Sequence, residues 1–106
     1  MSAILQIELG PCDDIGRLYI NGLEVATVNL DEVRRAKREI PDGDYEVRLE
    51  VLNPGLWAWR AAVRLRGDGY EILGIDEKGG SGFFGGKVFE RKWQIRCDKG
   101  KIELLA

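Results

Sequence analysis

The stretch that decides the fold is DYEVRLEVLNPGLWAWRAAVRLR, from Asp44 to Arg66. Its apolar and polar side chains alternate with a period of two, as a β-strand with one buried face requires. The apolar side comprises Tyr45, Val47, Leu49 and Val51 in the first run and Trp57, Trp59, Ala61, Val63 and Leu65 in the second. Asn53-Pro54-Gly55 joins the runs and suits a type II turn, because proline presets φ and glycine adopts positive φ. The stretch therefore predicts a long antiparallel hairpin.

Further alternating runs flank this hairpin. They are Ala3–Leu9, Arg17–Ile20, Leu23–Val28, Tyr70–Ile75, Lys87–Cys97 and Lys101–Leu105. Asn21-Gly22 separates two of them and favours a type I′ hairpin, because both turn residues need positive φ. Short strands joined by regular turn signals predict an all-β fold, either an antiparallel β-sandwich or a small open barrel.

Two segments interrupt the alternation. The run from Leu30 to Ile40 reads either as a strand with a poor burial pattern or as one or two helical turns over Asp31 to Ala36, followed by extended chain. Because Asp31 suits a helix N-cap and the cations come later, as the helix dipole favours, we expect the short helical turn. The glycine-rich Asp76 to Gly86 segment predicts a loop. Either Arg34 to Glu39 or the last strand can form an unpaired sheet edge, which invites strand addition.

Length and composition exclude several classes of protein. The chain has 106 residues, 44% of them hydrophobic, and a formal net charge of −2. This length predicts one domain over residues 1–106, and the charge provides no overall attraction for nucleic acid. No apolar run approaches the ~20 residues that span a bilayer. The N-terminus lacks the basic and apolar regions of a signal peptide, so the expected location is the cytoplasm. The oligomeric state stays open.

The region from Leu18 to Val51 has a recognisable rhythm. Leu-Tyr-Ile-Asn-Gly is followed by Glu-Val-Ala and then by Ile-Pro-Asp-Gly-Asp-Tyr-Glu-Val. This order resembles PEGA-type β-sandwich modules over about a third of the chain. The resemblance implies a small β-sandwich that serves as an accessory or surface-recognition domain without catalytic residues. The glycine-rich segment and the long Lys87–Cys97 run depart from that pattern.

Candidate catalytic groups are few. The chain has no histidine, which is the commonest general base and the usual partner of a serine or cysteine nucleophile. Its paired carboxylates, Asp13/Asp14, Asp31/Glu32, Asp42/Asp44 and Asp76/Glu77, all fall in predicted turns or caps, where they satisfy backbone donors. We therefore predict a protein that is not an enzyme and that needs no cofactor and no metal.

The two cysteines lie far apart in the sequence, at Cys12 and Cys97. Their spacing matches no zinc motif. Both fall in or beside terminal strands, so a disulfide is conceivable if those strands are neighbours. In a reducing cytosol two half-buried free thiols are expected.

Two aromatic groups are the candidate binding residues. Phe83 and Phe84 lie in the glycine-rich segment, where they either fold back onto the core or form a hydrophobic anchor for a partner. Trp57 and Trp59 either face the core or, with Trp93, offer a platform for stacking sugars. The arginines Arg60, Arg64 and Arg66 are expected beside Arg48 and the glutamates Glu46 and Glu50, as a solvated surface of cross-strand ion pairs.

These observations predict a non-enzymatic module that recognises another protein through loops or a sheet edge, with Phe83 and Phe84 as partner-binding residues. The alternative is a carbohydrate-binding module with a platform of Trp57, Trp59 or Trp93.

Overall fold

The computed structural model describes residues 1–53, 58–80 and 86–106. This part of the chain contains no helix, and therefore none long and apolar enough to cross a membrane. Its strands are β1 Ser2–Leu9, β2 Ile15–Ile20, β3 Leu23–Val28, β4 Arg34–Pro41, β5 Gly43–Asn53, β6 Trp59–Gly67, β7 Tyr70–Gly79, β8 Gly86–Asp98 and β9 Lys101–Leu104. They form two packed antiparallel sheets, so the predicted all-β sandwich is confirmed and the barrel alternative is not.

We call the two sheets front and back. The front sheet has the strand order β4-β1-β6-β7, and the back sheet has the order β3-β2-β5-β8-β9. Alternate residues of both sheets fill one shared core. Its fully buried side chains include Leu5, Leu9, Leu18, Leu49, Leu65 and Ile95. Each Å² of apolar surface that is removed from water stabilises the fold by about 25 cal/mol, so burial of these side chains is the main force that holds the sheets together.

The predicted pairing of β5 with β6 is wrong, although their buried faces were predicted correctly. Val47 and Leu49 of β5 are buried, as are Val63 and Leu65 of β6. However, β5 pairs with β2 and β8, whereas β6 pairs with β1 and β7 in the other sheet. A period of two shows only which face of a strand is buried. It does not show whether two such strands pair within one sheet or face each other across the core from two sheets. The predicted type II turn at Asn53-Pro54-Gly55 extends outside the described residues.

The β2–β3 hairpin is confirmed. Asn21 and Gly22 have φ values of 50° and 79°, the two positive angles that a type I′ turn needs. The last two strands are joined in the same way, because Lys99 and Gly100 have φ values of 53° and 75°.

The predicted helical turn over Asp31 to Ala36 is wrong. Asp31 occupies a turn with φ of 62°, and the amide of Glu32 donates to the carbonyl of Asn29 at 3.0 Å. Strand β4 then pairs with β1 along its whole length. An edge strand needs few apolar side chains, and Ala36 and Ile40 suffice here. This explains why the helix-forming composition was misleading.

The predicted loop at Asp76 to Gly86 is wrong over its first part. Strand β7 continues to Gly79, which pairs with Trp59. A Cβ atom at Gly79 would lie only 2.1 Å from Trp59 Cε2, so the indole ring occupies the space that a side chain would need. The glycine therefore serves strand packing, while the phenylalanines of the predicted loop lie outside the described residues.

Tyr70 ties the two sheets together at the other end of the β6–β7 hairpin. Its hydroxyl accepts a hydrogen bond from the amide of Ile102 in β9, at 2.8 Å. The ring lies over Gly67, where a Cβ atom would come within 2.2 Å of Tyr70 Cζ. The hydrogen bond between Tyr70 and β9 therefore requires a residue without a side chain at position 67.

We expect Gly67→Ala to lower the free energy of unfolding by about 1–3 kcal/mol, because the new methyl group displaces the Tyr70 ring. Gly74→Ala is the matched control, since its Cβ would approach only the exposed end of the Glu71 side chain, with 3.1 Å to Oε1. Urea titrations followed by tryptophan fluorescence measure both variants. Equal effects of the two substitutions would contradict this account of Gly67.

The two cysteines are free, buried and far apart. The Cys12 thiol donates to the carbonyl of Ala62 at 3.6 Å, near the end of β1. The Cys97 thiol donates to the carbonyl of Ile40 at 3.7 Å, and Ile40 pairs with Ala3 at the start of β1. A strand rises about 3.4 Å per residue, so this separation is far beyond the reach of a disulfide. The proximity that a disulfide would need is thus absent.

Burial raises the pKa of both the Cys12 and the Cys97 thiols. We therefore expect neither thiol to react with an aromatic disulfide reagent in the native protein at neutral pH, and both to react in denaturant. Rapid stoichiometric labelling of either cysteine in the folded state would contradict the described packing.

Candidate functional site

The aromatic candidates occupy different environments. Trp57, Phe83 and Phe84 lie outside the described residues. Trp93 is buried, with 7% of its surface exposed, so its ring has no free face for a sugar. Trp59 is half-buried, and its ring packs 5.7 Å from that of Phe89, centroid to centroid.

The expected arginine surface is split between the two sheets. Arg60, Arg64 and Arg66 belong to the front sheet, whereas Arg48, Glu46 and Glu50 belong to the back sheet. The prediction that these groups are neighbours is therefore wrong, because it followed from pairing β5 with β6.

On the front sheet the arginines of β6 are largely neutralised by carboxylates. Arg60 binds Asp76 through two nitrogens, at 2.6 and 2.9 Å, and this bond holds the pKa of the Asp76 carboxyl below its usual value. Arg64 lies 3.1 Å from Glu71 and 3.9 Å from Glu8. These pairs line a shallow depression of about 560 Å³. Because its charges are satisfied within the chain, this depression is a poor site for a charged ligand.

Three other candidate carboxylates, those of Asp42, Asp44 and Glu77, also have protein partners. Asp42 accepts the amides of Lys99 and Gly100, at 3.0 and 3.2 Å, and Asp44 binds Arg96 at 2.7 Å. Glu77 of the front sheet lies 2.9 Å from Arg91 of the back sheet. Within residues 1–53, 58–80 and 86–106, no group of three or more potential ligands could hold a metal ion. The carboxylates described here stabilise turns and join strands.

The free edge of β4 takes part in none of the contacts described so far between arginines, carboxylates and turns. The sheet order places β4 at one border of the front sheet and β9 at one border of the back sheet, so both segments that the sequence offered as edges are edges. The amide of Asp42 donates to the carbonyl of Met1 at 3.0 Å, which sets the phase of the β1–β4 ladder. Antiparallel pairing alternates, so the main-chain groups of residues 34, 36, 38 and 40 face β1. Those of Arg35, Lys37 and Glu39 point away from the sheet.

Pro41 supports this assignment. It falls in the outward phase, where its missing N–H breaks no bond to β1. Its carbonyl accepts a hydrogen bond from the Tyr45 hydroxyl at 2.5 Å, which closes this end of the edge. The open part of the edge therefore runs from Arg35 to Glu39.

The same segment carries a concentration of positive charge. Arg34, Arg35, Lys37 and Arg38 are all exposed, and we call Arg34–Arg38 the basic edge. The Arg35 side chain is 76% exposed and lies 2.9 Å from Glu8, which is also near Arg64. Arg34, Lys37 and Arg38 form no ion pair within the described part of the chain. Positive charge without a counter-charge thus coincides with open main-chain groups.

The other borders of the sandwich differ from the basic edge. The outward amide of Ile102 in β9 is already bonded to Tyr70. Strand β7 carries Glu71, Asp76 and Glu77, each neutralised by an arginine. Strand β3 is interrupted by a bulge opposite Leu18 and Tyr19, a common device for blunting an edge.

Comparison with known proteins adds no assignment, because no protein family, curated protein or solved structure matches this chain.

Asp42 anchors the chain where β4 ends. Hydrogen bonds from the amides of Gly100 and Lys99 hold the pKa of the Asp42 carboxyl below its usual value. A carboxyl whose folded pKa is lowered stabilises the protein above its unfolded pKa of about 3.9, and this contribution is lost as the pH falls through the folded pKa.

We expect Asp42→Asn to lower the urea midpoint at pH 7, with the difference from wild type shrinking below about pH 4. Asp68→Asn is the control, because asparagine is equally suited to its turn before Gly69. A wild-type advantage over Asp42→Asn that stays constant down to pH 2.5 would contradict the role of the ionised carboxylate.

Proposed function

We propose that this protein is a non-enzymatic interaction module that recognises a protein partner through the basic edge. The observation that carries the proposal is the coincidence of outward main-chain groups at Arg35 and Lys37 with exposed cations on the same strand. An extended segment of a partner can add to such an edge through main-chain hydrogen bonds, while flanking side chains supply specificity.

The charge of the basic edge selects among partners. Cations along an edge strand oppose pairing between two copies of that edge, because like charges would lie directly opposite one another. They leave the edge available to an uncharged or anionic segment. The positive charge therefore opposes pairing with a second copy of the same edge but leaves the edge accessible to another protein.

The resemblance to PEGA-type modules supports the same class of function, since such modules are accessory or recognition domains. The alternative of carbohydrate binding has narrower support. Because Trp93 is buried, the platform would depend on Trp57 and on the exposed part of Trp59.

Charge reversal at the basic edge tests the proposal. We expect Arg34→Glu combined with Arg38→Glu to abolish retention of a protein that immobilised wild type retains from its native extract, because both cations border the docking strand. Lys92→Glu combined with Lys101→Glu is the matched control, with the same change in net charge on exposed positions of the back sheet.

Quantitative mass spectrometry compares the proteins that the three baits retain. Circular dichroism confirms that each bait is folded. A partner retained equally by all three baits would place the interaction elsewhere and overturn the proposal.

A further inference from the structure

We infer that the basic edge binds an extended segment with the charge order acidic–acidic–small–acidic–acidic, added as an antiparallel strand beside β4. This inference rests on the proposed function and deepens it by naming the chemistry of the partner. It follows from the direction in which each side chain of the edge projects.

The outer surface of the front sheet determines two of the acidic positions. Arg35 and Lys37 are opposite Glu8 and Gln6 of β1, whose side chains lie on the outer surface. On an added strand, the residues directly opposite Arg35 and Lys37 would project to the same surface, with Cβ atoms about 5 Å from theirs. Carboxylates at these two positions would meet both cations.

The core side of β4 determines the other three positions. Arg34 and Arg38 pair with the buried Leu9 and Leu5, so they project towards the core side, but they lie at its rim and remain exposed. Between them, Ala36 is half-buried and packs against the core. The added strand would therefore place carboxylates opposite the two arginines and a small side chain opposite Ala36.

Glu39 limits the acidic run. Its main-chain groups belong to the open edge, but its carboxylate would repel an acidic residue placed opposite it. Ser2 donates a hydrogen bond to this carboxylate at 3.2 Å, which helps to hold it on the outer surface. The recognised segment is therefore about five residues long, in agreement with the length of the basic edge.

A second copy of this chain is not the expected occupant. No five consecutive residues of its sequence have the inferred charge order. The acidic edge strand β7 has its carboxylates committed to Arg60, Arg64 and Arg91. The partner is therefore another protein with an exposed acidic segment.

A synthetic peptide tests the charge order. The probe is a fluorescein-labelled peptide with a Glu-Glu-Ala-Glu-Glu core between Thr-Val flanks, and the control has Gln-Gln-Ala-Gln-Gln at the core. Fluorescence anisotropy at about 0.1 M salt, where the screening length is about 10 Å, should show the glutamine peptide binding at least ~10-fold more weakly. The Arg34→Glu/Arg38→Glu variant should lose the glutamate peptide, whereas Lys92→Glu/Lys101→Glu should keep it.

Main-chain methylation distinguishes strand addition from simple charge attraction. In antiparallel pairing, the amides of the two inner glutamates point towards Arg35 and Lys37, whereas the amide of the central alanine points away. N-methylation of the inner glutamates should abolish binding, and N-methylation of the alanine should preserve it.

Equal affinity of the two methylated peptides, or of the glutamate and glutamine peptides, would overturn the inference. Self-association of the chain that blocks the peptide would also overturn it. If the peptide tests fail but the bait comparison still finds a protein that depends on the basic edge, the proposed interaction function holds and only the inferred charge order is wrong. The two proposals can therefore fail separately.

Discussion

The structure depends on one constraint, which is that β5 and β6 must both bury their apolar sides although they belong to different sheets. Val47 and Leu49 reach the core from the back sheet, and Val63 and Leu65 reach it from the front sheet. Because the two inner faces are dry only while they cover each other, neither sheet is stable alone. The arginine–carboxylate pairs of the front sheet and the basic edge lie on an outer face and a border of that arrangement.

The two borders of the front sheet have opposite charge, because they have different neighbours in the fold. At β7, the acidic side chains are held by arginines from β6 and, across the core, by Arg91. At β4, the neighbouring strand β1 supplies Glu8, whose carboxylate is shared between Arg35 and Arg64. Arg34, Lys37 and Arg38, which form no ion pair among the described residues, consequently remain available to a partner. The position of a strand in the sheet, more than the net charge of the chain, therefore decides whether the charged side chains of a border are paired within the chain or free to bind a partner.

Local patterns in the sequence were reliable for faces and turns but not for partners. Asn21-Gly22 needs positive φ wherever it occurs, so its hairpin could be predicted without knowing the rest of the fold. The pairing of β5 depends on contacts with distant strands, which a period of two cannot identify. The first part of the strand at Arg34–Pro41 was predicted as helical because a border strand lacks the apolar alternation by which strands are found, whereas its second part was predicted as extended. Its position as an edge was predicted as one of two possibilities, whereas its outward main-chain groups could be identified only from the register with β1.

Gly67 and Tyr70 form a pair in which each residue limits how the other can be replaced. A side chain at position 67 would displace the Tyr70 ring, because the two would occupy the same space. Loss of the ring would first free that space, but it would also release the amide of Ile102 and loosen β9 from the front sheet. A lineage or designed variant that fills position 67 without losing stability therefore needs a different residue at position 70 and another way to hold the last strand.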